Sequence, residues 1–90
     1  MDSEKLRIFL TVARCGSISE AARRLYVSHS TVSRAVAALE EELDAELFVR
    51  SNRNCVPTPA GELLKAEAEK IIAAMDEAAE KVRNAAQDIL

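Results

Sequence analysis

The sequence predicts a small, mainly α-helical protein: four helices, the last one long, with one short β-hairpin just ahead of it. Three observations lead there. Alanine supplies 16 of the ninety residues, while only Phe9, Tyr26 and Phe48 are aromatic, which suits helices packed closely around a thin core. Two glycines and two prolines leave room for few turns. Apolar residues recur at spacings of three and four along most of the chain, and the period changes only between residues 47 and 56. A chain this short buries only about 60% of its unfolded surface. A large enzyme fold around a deep pocket is therefore excluded, and the surplus alanines need a partner subunit or a long exposed helix.

The first helix is expected over residues 4–14. Ser3 is placed to cap it, and Leu6, Phe9, Leu10 and Ala13 give it one apolar face. Gly16 stops it, because glycine accepts positive φ. Ser17 followed by Glu20 has the spacing of a capping box, with Ser19 as the rival cap. The second helix is short, about 19–26, with Ala21, Ala22 and Leu25 inward. Two adjacent alanines there predict the close approach of another helix.

Val27 and Ser28 form the next break, and Ser28 caps a third helix that reaches about residue 43. Its inner stripe is Val32, Val36 and Leu39, ending in Leu43. The outer face near its start carries His29, Ser30, Ser33 and Arg34, with Thr31 at the edge. Two short helices joined by a tight turn, the second with small polar residues outward at its start, form a helix-turn-helix.

The period then switches to two. Residues 47–50 read as a strand, 51–54 as a polar turn and 55–56 as the returning strand, making a wing that carries Arg50 and Arg53. A two-stranded hairpin is marginal alone, so Phe48 and Val56 are expected to pack on the helices. Thr58 and Pro59 open the last helix as cap and first helical residue. From there about 30 residues make a rod of roughly 45 Å, longer than so small a core can cover. Leu64, Ala68, Ile71, Met75, Ala78, Val82, Ala85 and Ile89 alternate spacings of four and three without a break, a heptad seam suited to a second chain. The competing reading is an amphipathic helix packed only on its own domain. The chain thus divides into a winged unit, 1–58, and a dimerisation helix, 59–90.

The net charge of −3 argues weakly against a nucleic-acid partner, but the distribution argues the other way. Basic and acidic side chains balance over residues 1–60, and the whole excess of acid lies in 61–90. Six arginines fall between Arg14 and Arg53, while acids crowd at Glu40, Glu41 and Glu42, so the mean conceals a candidate cationic face. Cys15 and Cys55 form no CxxC pair, His29 is the single histidine, and no four-ligand zinc set exists. Two free thiols are expected, as in a reducing cytoplasm, with no cofactor or metal. No basic-then-apolar leader and no apolar run near membrane length occur. No nucleophile–base pair is legible either, which leaves binding rather than catalysis.

An α-helix fits the major groove of B-DNA, and the outer face of the third helix offers donors and acceptors to it. His29 and Arg34 suit base edges, Ser30 and Ser33 suit bases or phosphates, and Thr31 offers a hydroxyl and a methyl. A single arginine serves as well to clamp a phosphate, and His29 serves as well as a surface or capping residue. Arg53 at the wing tip suits a minor groove, where narrow A·T tracts concentrate negative potential. Arg50 suits a phosphate or a helix-surface acid. Arg23 and Arg24 suit the DNA backbone or a pair with Glu20 or Glu40. Tyr26 suits a phosphate, or else a half-buried structural place.

Residues 6–64 resemble the N-terminal winged helix-turn-helix domain of LysR-type bacterial transcriptional regulators. The resemblance is carried by Ala21-Ala22, Leu25, Val27-Ser28, Val32-Ser33-Arg34, Leu39-Glu40, Leu43, Leu47-Phe48-Val49-Arg50 and the closing Thr58-Pro59-Ala60-Gly61. It implies that Ser28, His29, Ser30, Thr31, Ser33 and Arg34 stand at the major groove and Arg53 near the minor groove. It also implies a homodimer, formed through the last helices, on an inverted-repeat operator, with tetramers and a small coinducer in the full regulator. Two residues depart from the family pattern: His29 stands where glutamine is common, and Asp44 where glycine usually ends the recognition helix. The family also carries a large effector-binding domain that these ninety residues do not include, so the chain is expected to be a piece of a longer regulator. The rival reading is a protein-interaction or dimerisation module that keeps the winged fold without specific DNA binding.

Overall fold

The computed structural model describes residues 1–51 and 54–88. Among them the elements run α1 (Ser3–Cys15), α2 (Ile18–Leu25), α3 (His29–Leu43), β1 (Phe48–Ser51), β2 (Asn54–Pro57) and α4 (Pro59–Asp88). The predicted architecture is present: a helix-turn-helix, an antiparallel wing and a long final helix. Arg53 and Ile89, named above for the wing tip and the seam, lie outside the described residues.

α1 is capped one residue earlier than expected. Asp2, not Ser3, accepts the Lys5 backbone N–H at 2.8 Å, and its second oxygen takes the Lys5 ammonium at 2.7 Å. A carboxylate has two acceptor oxygens and a charge that complements the helix N-terminus, where serine has one neutral oxygen. That lysine holds the Asp2 carboxyl below the usual carboxylate range. Gly16 closes the helix at φ 72°, its N–H reaching the Val12 carbonyl. α1 is also buried on more than the single stripe expected. Ile8, Phe9 and Val12 face the core with α2, α3 and the wing, whereas Leu6 and Leu10 form a second cluster with Ala68 and Ile72 of α4.

Ser17 caps α2 by accepting the Glu20 N–H, and Ser19 does not compete. Ala21 and Ala22 are buried, as a close α2–α3 approach requires. Ser28 caps α3, whose buried stripe is Val32, Ala35, Val36 and Leu39. Leu43 does not continue it. The side chain is 40% exposed because the helix has outrun its neighbours by that turn. Asp44 then adopts the left-handed region (φ 49°, ψ 47°) and closes the helix where the family pattern has glycine.

The wing pairs Phe48 with Pro57, Val49 with Val56, Arg50 with Cys55 and Ser51 with Asn54. Directly opposed residues share a face and alternate along each strand. The inward side is therefore Phe48, Arg50, Cys55 and Pro57, and the outward side includes Val49 and Val56. Phe48 and Cys55 are buried, with the Phe48 ring 5.3 Å from that of Phe9. Val56, expected to pack inward, is 56% exposed, and Cys55 takes its place. Gly16 reinforces the arrangement by accepting the Cys55 N–H at 2.8 Å.

Thr58 caps α4 through the Gly61 N–H at 3.0 Å, with Pro59 following as expected. A Cβ at Gly61 would stand 2.0 Å from the Leu47 carbonyl oxygen, so only glycine lets α4 lie this close to the wing. Leu64, Ala68 and Ile72 then pack on Leu6 and Leu10, and Arg7–Asp76 and Arg14–Glu69 bridge the same pair of helices. This corrects the seam at its start. Leu64 is largely taken up by its own chain, and Ala68 has no exposed surface to offer another. Ile72, one residue off the predicted seam, is the buried isoleucine. Residues 73–88 are exposed throughout.

Candidate nucleic-acid interface

The outer side of α3 is built from its cap. Ser28 Oγ accepts the Thr31 N–H and lies within hydrogen-bonding distance of two more hydroxyls, Thr31 Oγ1 at 2.8 Å and Ser30 Oγ at 3.1 Å. Arg34 folds back one turn, its Nε donating to the Ser30 carbonyl at 3.3 Å and its Nη2 to Ser30 Oγ at 3.4 Å. Ser28, Ser30, Thr31 and Arg34 therefore form one hydrogen-bonded chain along the first turns. Such a chain restrains the guanidinium before any ligand arrives, which lowers the conformational cost of using it. Among the described residues Arg34 makes no ion pair. Ser28, His29, Ser30 and Arg34 are exposed; Thr31 and Ser33 are half-buried at the edges.

The same outer face borders two grooves, one on each flank of α3. On one flank of α3, His29 and Ser33 border a groove completed by Ser17 and Ser19 of α2 and by Arg50, Asn54 and Cys55 of the wing. On the other flank, Thr31 and Arg34 border a groove against α1, lined by Asp2, Glu4 and Lys5. Of the residues singled out from sequence, His29, Ser33 and Arg50 line one groove and Thr31 and Arg34 line the other, with exposed Ser30 hydrogen-bonded to Arg34 on the face between. Ser19 and Asn54 were missed. The capping pattern at Ser17 marked the start of α2, and in a helix-turn-helix the first helix crosses the DNA backbone, so Ser19 was findable. The register pairs Asn54 with Ser51 on the outward side of the wing, so no strand rule signals its place at this groove.

Arg50 has an internal restraint. Its guanidinium stands 3.9 Å from Glu40, whose other oxygen accepts the Leu47 N–H at 2.8 Å. Glu40 thus ties the end of α3 to the entrance of the wing and holds the inward-facing arginine beside it. Arg23 and Arg24 both pair with Glu20, with Arg23 Nη2 at 2.6 Å and Arg24 Nε at 3.1 Å. The Arg23 hydrogen bond, then that of Arg24, holds the Glu20 carboxyl below its usual range. Tyr26 is 94% exposed, so the half-buried structural place is excluded. Both cysteines are free thiols, and burial pushes the Cys55 thiol up. Among the described residues no group of three metal-ligating side chains occurs, and no helix is long and apolar enough to cross a membrane.

Comparison with known proteins places this geometry. The family model for the bacterial regulatory helix-turn-helix protein, lysR family, matches residues 3–62. The HTH-type transcriptional regulator YofA of Bacillus velezensis is 42% identical over 85 residues, covering 94% of this chain and 30% of the relative. The regulator BbuR of Bordetella bronchiseptica is 41% identical over 86 residues, covering 96% of this chain and 26% of the relative. The chain therefore spans under a third of the length of these curated relatives. Among solved structures, the CbnR_DBD–DNA complex aligns at TM-score 0.91 and 34% identity, covering 96% of this chain and 99% of that one. The BenM_DBD/catB site 1 DNA complex aligns at TM-score 0.92 and 30% identity, covering 96% of both chains.

Proposed function

The chain belongs to the lysR family of bacterial regulatory helix-turn-helix proteins, and on that footing we propose that it is the sequence-specific, double-stranded DNA-binding part of a dimeric transcriptional regulator. The observation that carries this reading is the outer side of α3. His29, Ser30 and Arg34 are exposed beside the edge residues Thr31 and Ser33, at the end of the helix that such folds insert in the major groove. The wing lies alongside with Arg50, and the sequence reading assigns Arg53, outside the described residues, to the minor groove. The similarity to the CbnR and BenM domains, whose structures are of DNA complexes, supports the same reading.

In this proposal the winged unit, expected at 1–58, also includes the first turns of α4 as far as Ile72, because they share its core. From Ile71 onward a neighbouring face of the helix pairs with the same helix of a second copy through Ile71, Met75, Ala78, Val82 and Ala85, and Ile89, outside the described residues, continues the same spacing. Two copies then present two recognition helices to an inverted-repeat operator. Tetramers and a small-molecule coinducer belong to the longer protein, which acts in the cytoplasm on the nucleoid.

The test is affinity for a pseudopalindromic promoter duplex against a scrambled one at near-physiological salt. Preference for the promoter is expected; equal affinity would reduce the reading to non-specific binding. Arg34→Ala is expected to weaken the preferred site by about 5- to 150-fold, the equivalent of a bidentate base contact worth about 1–3 kcal/mol, and to spare scrambled DNA. A uniform loss would make Arg34 a phosphate clamp.

A further inference from the structure

One side chain in the helix-turn-helix carries costs that nothing among the described residues offsets. Three helices end on a left-handed residue: α1 on Gly16, α3 on Asp44 and α2 on Tyr26, at φ 57° and ψ 40°. Glycine has no Cβ to clash, and aspartate is among the residues that tolerate this region; a bulky aromatic is not. The tight corner itself needs only the backbone. The Tyr26 N–H reaches the Arg23 carbonyl, and the Val27 N–H reaches the Ala22 carbonyl at 3.1 Å. Glycine would serve that geometry with less strain. The ring recovers nothing by packing, since it is 94% exposed, and among the described residues its hydroxyl makes no hydrogen bond. A strained residue whose side chain is unused within the fold points outward for its role.

Its position says toward what. Tyr26 stands at the corner from which α3 departs, two residues ahead of the cap Ser28. The neighbouring arginines 23 and 24 are engaged by Glu20. That leaves the phenol as an unengaged donor at this corner, and tyrosine hydroxyls are among the donors that hold DNA phosphates. Resting on the DNA-binding reading above, we propose that Tyr26 is a DNA-backbone contact. Its hydroxyl donates a hydrogen bond to a phosphate oxygen beside the N-terminus of α3, and so fixes how deeply that helix enters the groove. The left-handed backbone holds the long side chain clear of the domain for this purpose. Because the contact is to a phosphate, it is independent of sequence.

The experiment measures fluorescence anisotropy with two labelled duplexes of unrelated sequence at one moderate salt concentration, together with thermal unfolding. The proteins are the wild type, Tyr26→Phe and Tyr26→Gly. Loss of one hydrogen bond to a charged group is expected to weaken Tyr26→Phe about tenfold on both duplexes, with Tm unchanged. Tyr26→Gly should bind at least as weakly while its Tm holds or rises by a few degrees, since the strain is relieved. Wild-type affinity in Tyr26→Phe overturns the hydroxyl contact. A fall in Tm with affinity in Tyr26→Gly makes the residue structural and overturns it as well. A loss on only one duplex makes Tyr26 a base reader. Failure of the wild type to bind either duplex overturns the DNA reading, and this proposal with it.

Discussion

Ser17 and Glu20 have the spacing of a reciprocal capping box, yet only the serine caps. The Glu20 carboxylate turns instead to Arg23 and Arg24, because two guanidinium groups one turn away outbid a single neutral N–H. The pairs hold the folded-state pKa of Glu20 below its unfolded value. They therefore add stability above the ordinary glutamate range, and that contribution disappears as pH falls through the depressed value. Glu20→Gln removes the titrating group. Its stability, followed by urea unfolding from neutral to acid pH, should fall less steeply than that of the wild type. Parallel curves would show that the pairs, exposed as they are, contribute nothing. The same competition between neighbours explains the one displaced cap. Asp2 stands a residue ahead of Ser3 and brings a charge, two acceptors and a lysine partner.

At the scale of the element, α4 is packed on its own chain at one end and exposed at the other along one continuous helix. Ile71 and Ile72 are adjacent in sequence, but Ile72 is 8% exposed against α1 and Ile71 is 38% exposed. Met75 is 44% and Val82 70% exposed, and residues 73–88 are all exposed, with Asp76 bridged to Arg7. Ile71→Glu combined with Met75→Glu is expected to abolish self-association. Sedimentation across protein concentration should then give the monomer mass, while the winged unit melts as before. A dimer mass that persists would place the interface elsewhere. The heptad pattern is legible in the sequence, and the structure packs its first two positions, Leu64 and Ala68, within the chain. Sequence spacing fixes which residues share a helix face, and a helix face does not declare whether its cover comes from the same chain. The wing shows the same limit at period two. Alternation was legible from Phe48 onward, but only pairing with β2 decided that Cys55, and not Val56, returns to the inner side.

The whole molecule measures 55 × 25 × 19 Å, a small head with a rod projecting from it. Phe9, Val12, Val32, Val36, Leu39 and Leu47 form the fully buried centre of the head, and Leu64 joins that centre to the smaller Leu6–Ile72 cluster. Leu39→Ala should therefore cost about 2–5 kcal/mol in denaturant unfolding, a large share of the total for a domain this size. It lies on α3 opposite the exposed residues, so DNA affinity should be retained wherever the variant remains folded. Loss of affinity in fully folded Leu39→Ala would mean that core packing sets the pose of the recognition helix.

By itself the sequence determined the order of elements and most of their ends. Caps, left-handed stops and hydrophobic period act within a few residues, so Gly16, Ser17, Ser28, Thr58 and Pro59 are readable one at a time. It also determined the family, through an ordered set of residues from Ala21 to Gly61. Only the tertiary structure decided which candidates share a groove. His29, Ser33 and Arg50 meet in one groove, and Thr31 and Arg34 lie on the opposite flank. It alone showed Arg50 held by Glu40, Ala68 spent on α1, and Tyr26 standing out in solvent. The reason is physical: local rules fix the direction of each side chain relative to its own backbone, whereas burial, pairing and exposure depend on which other segment arrives beside it.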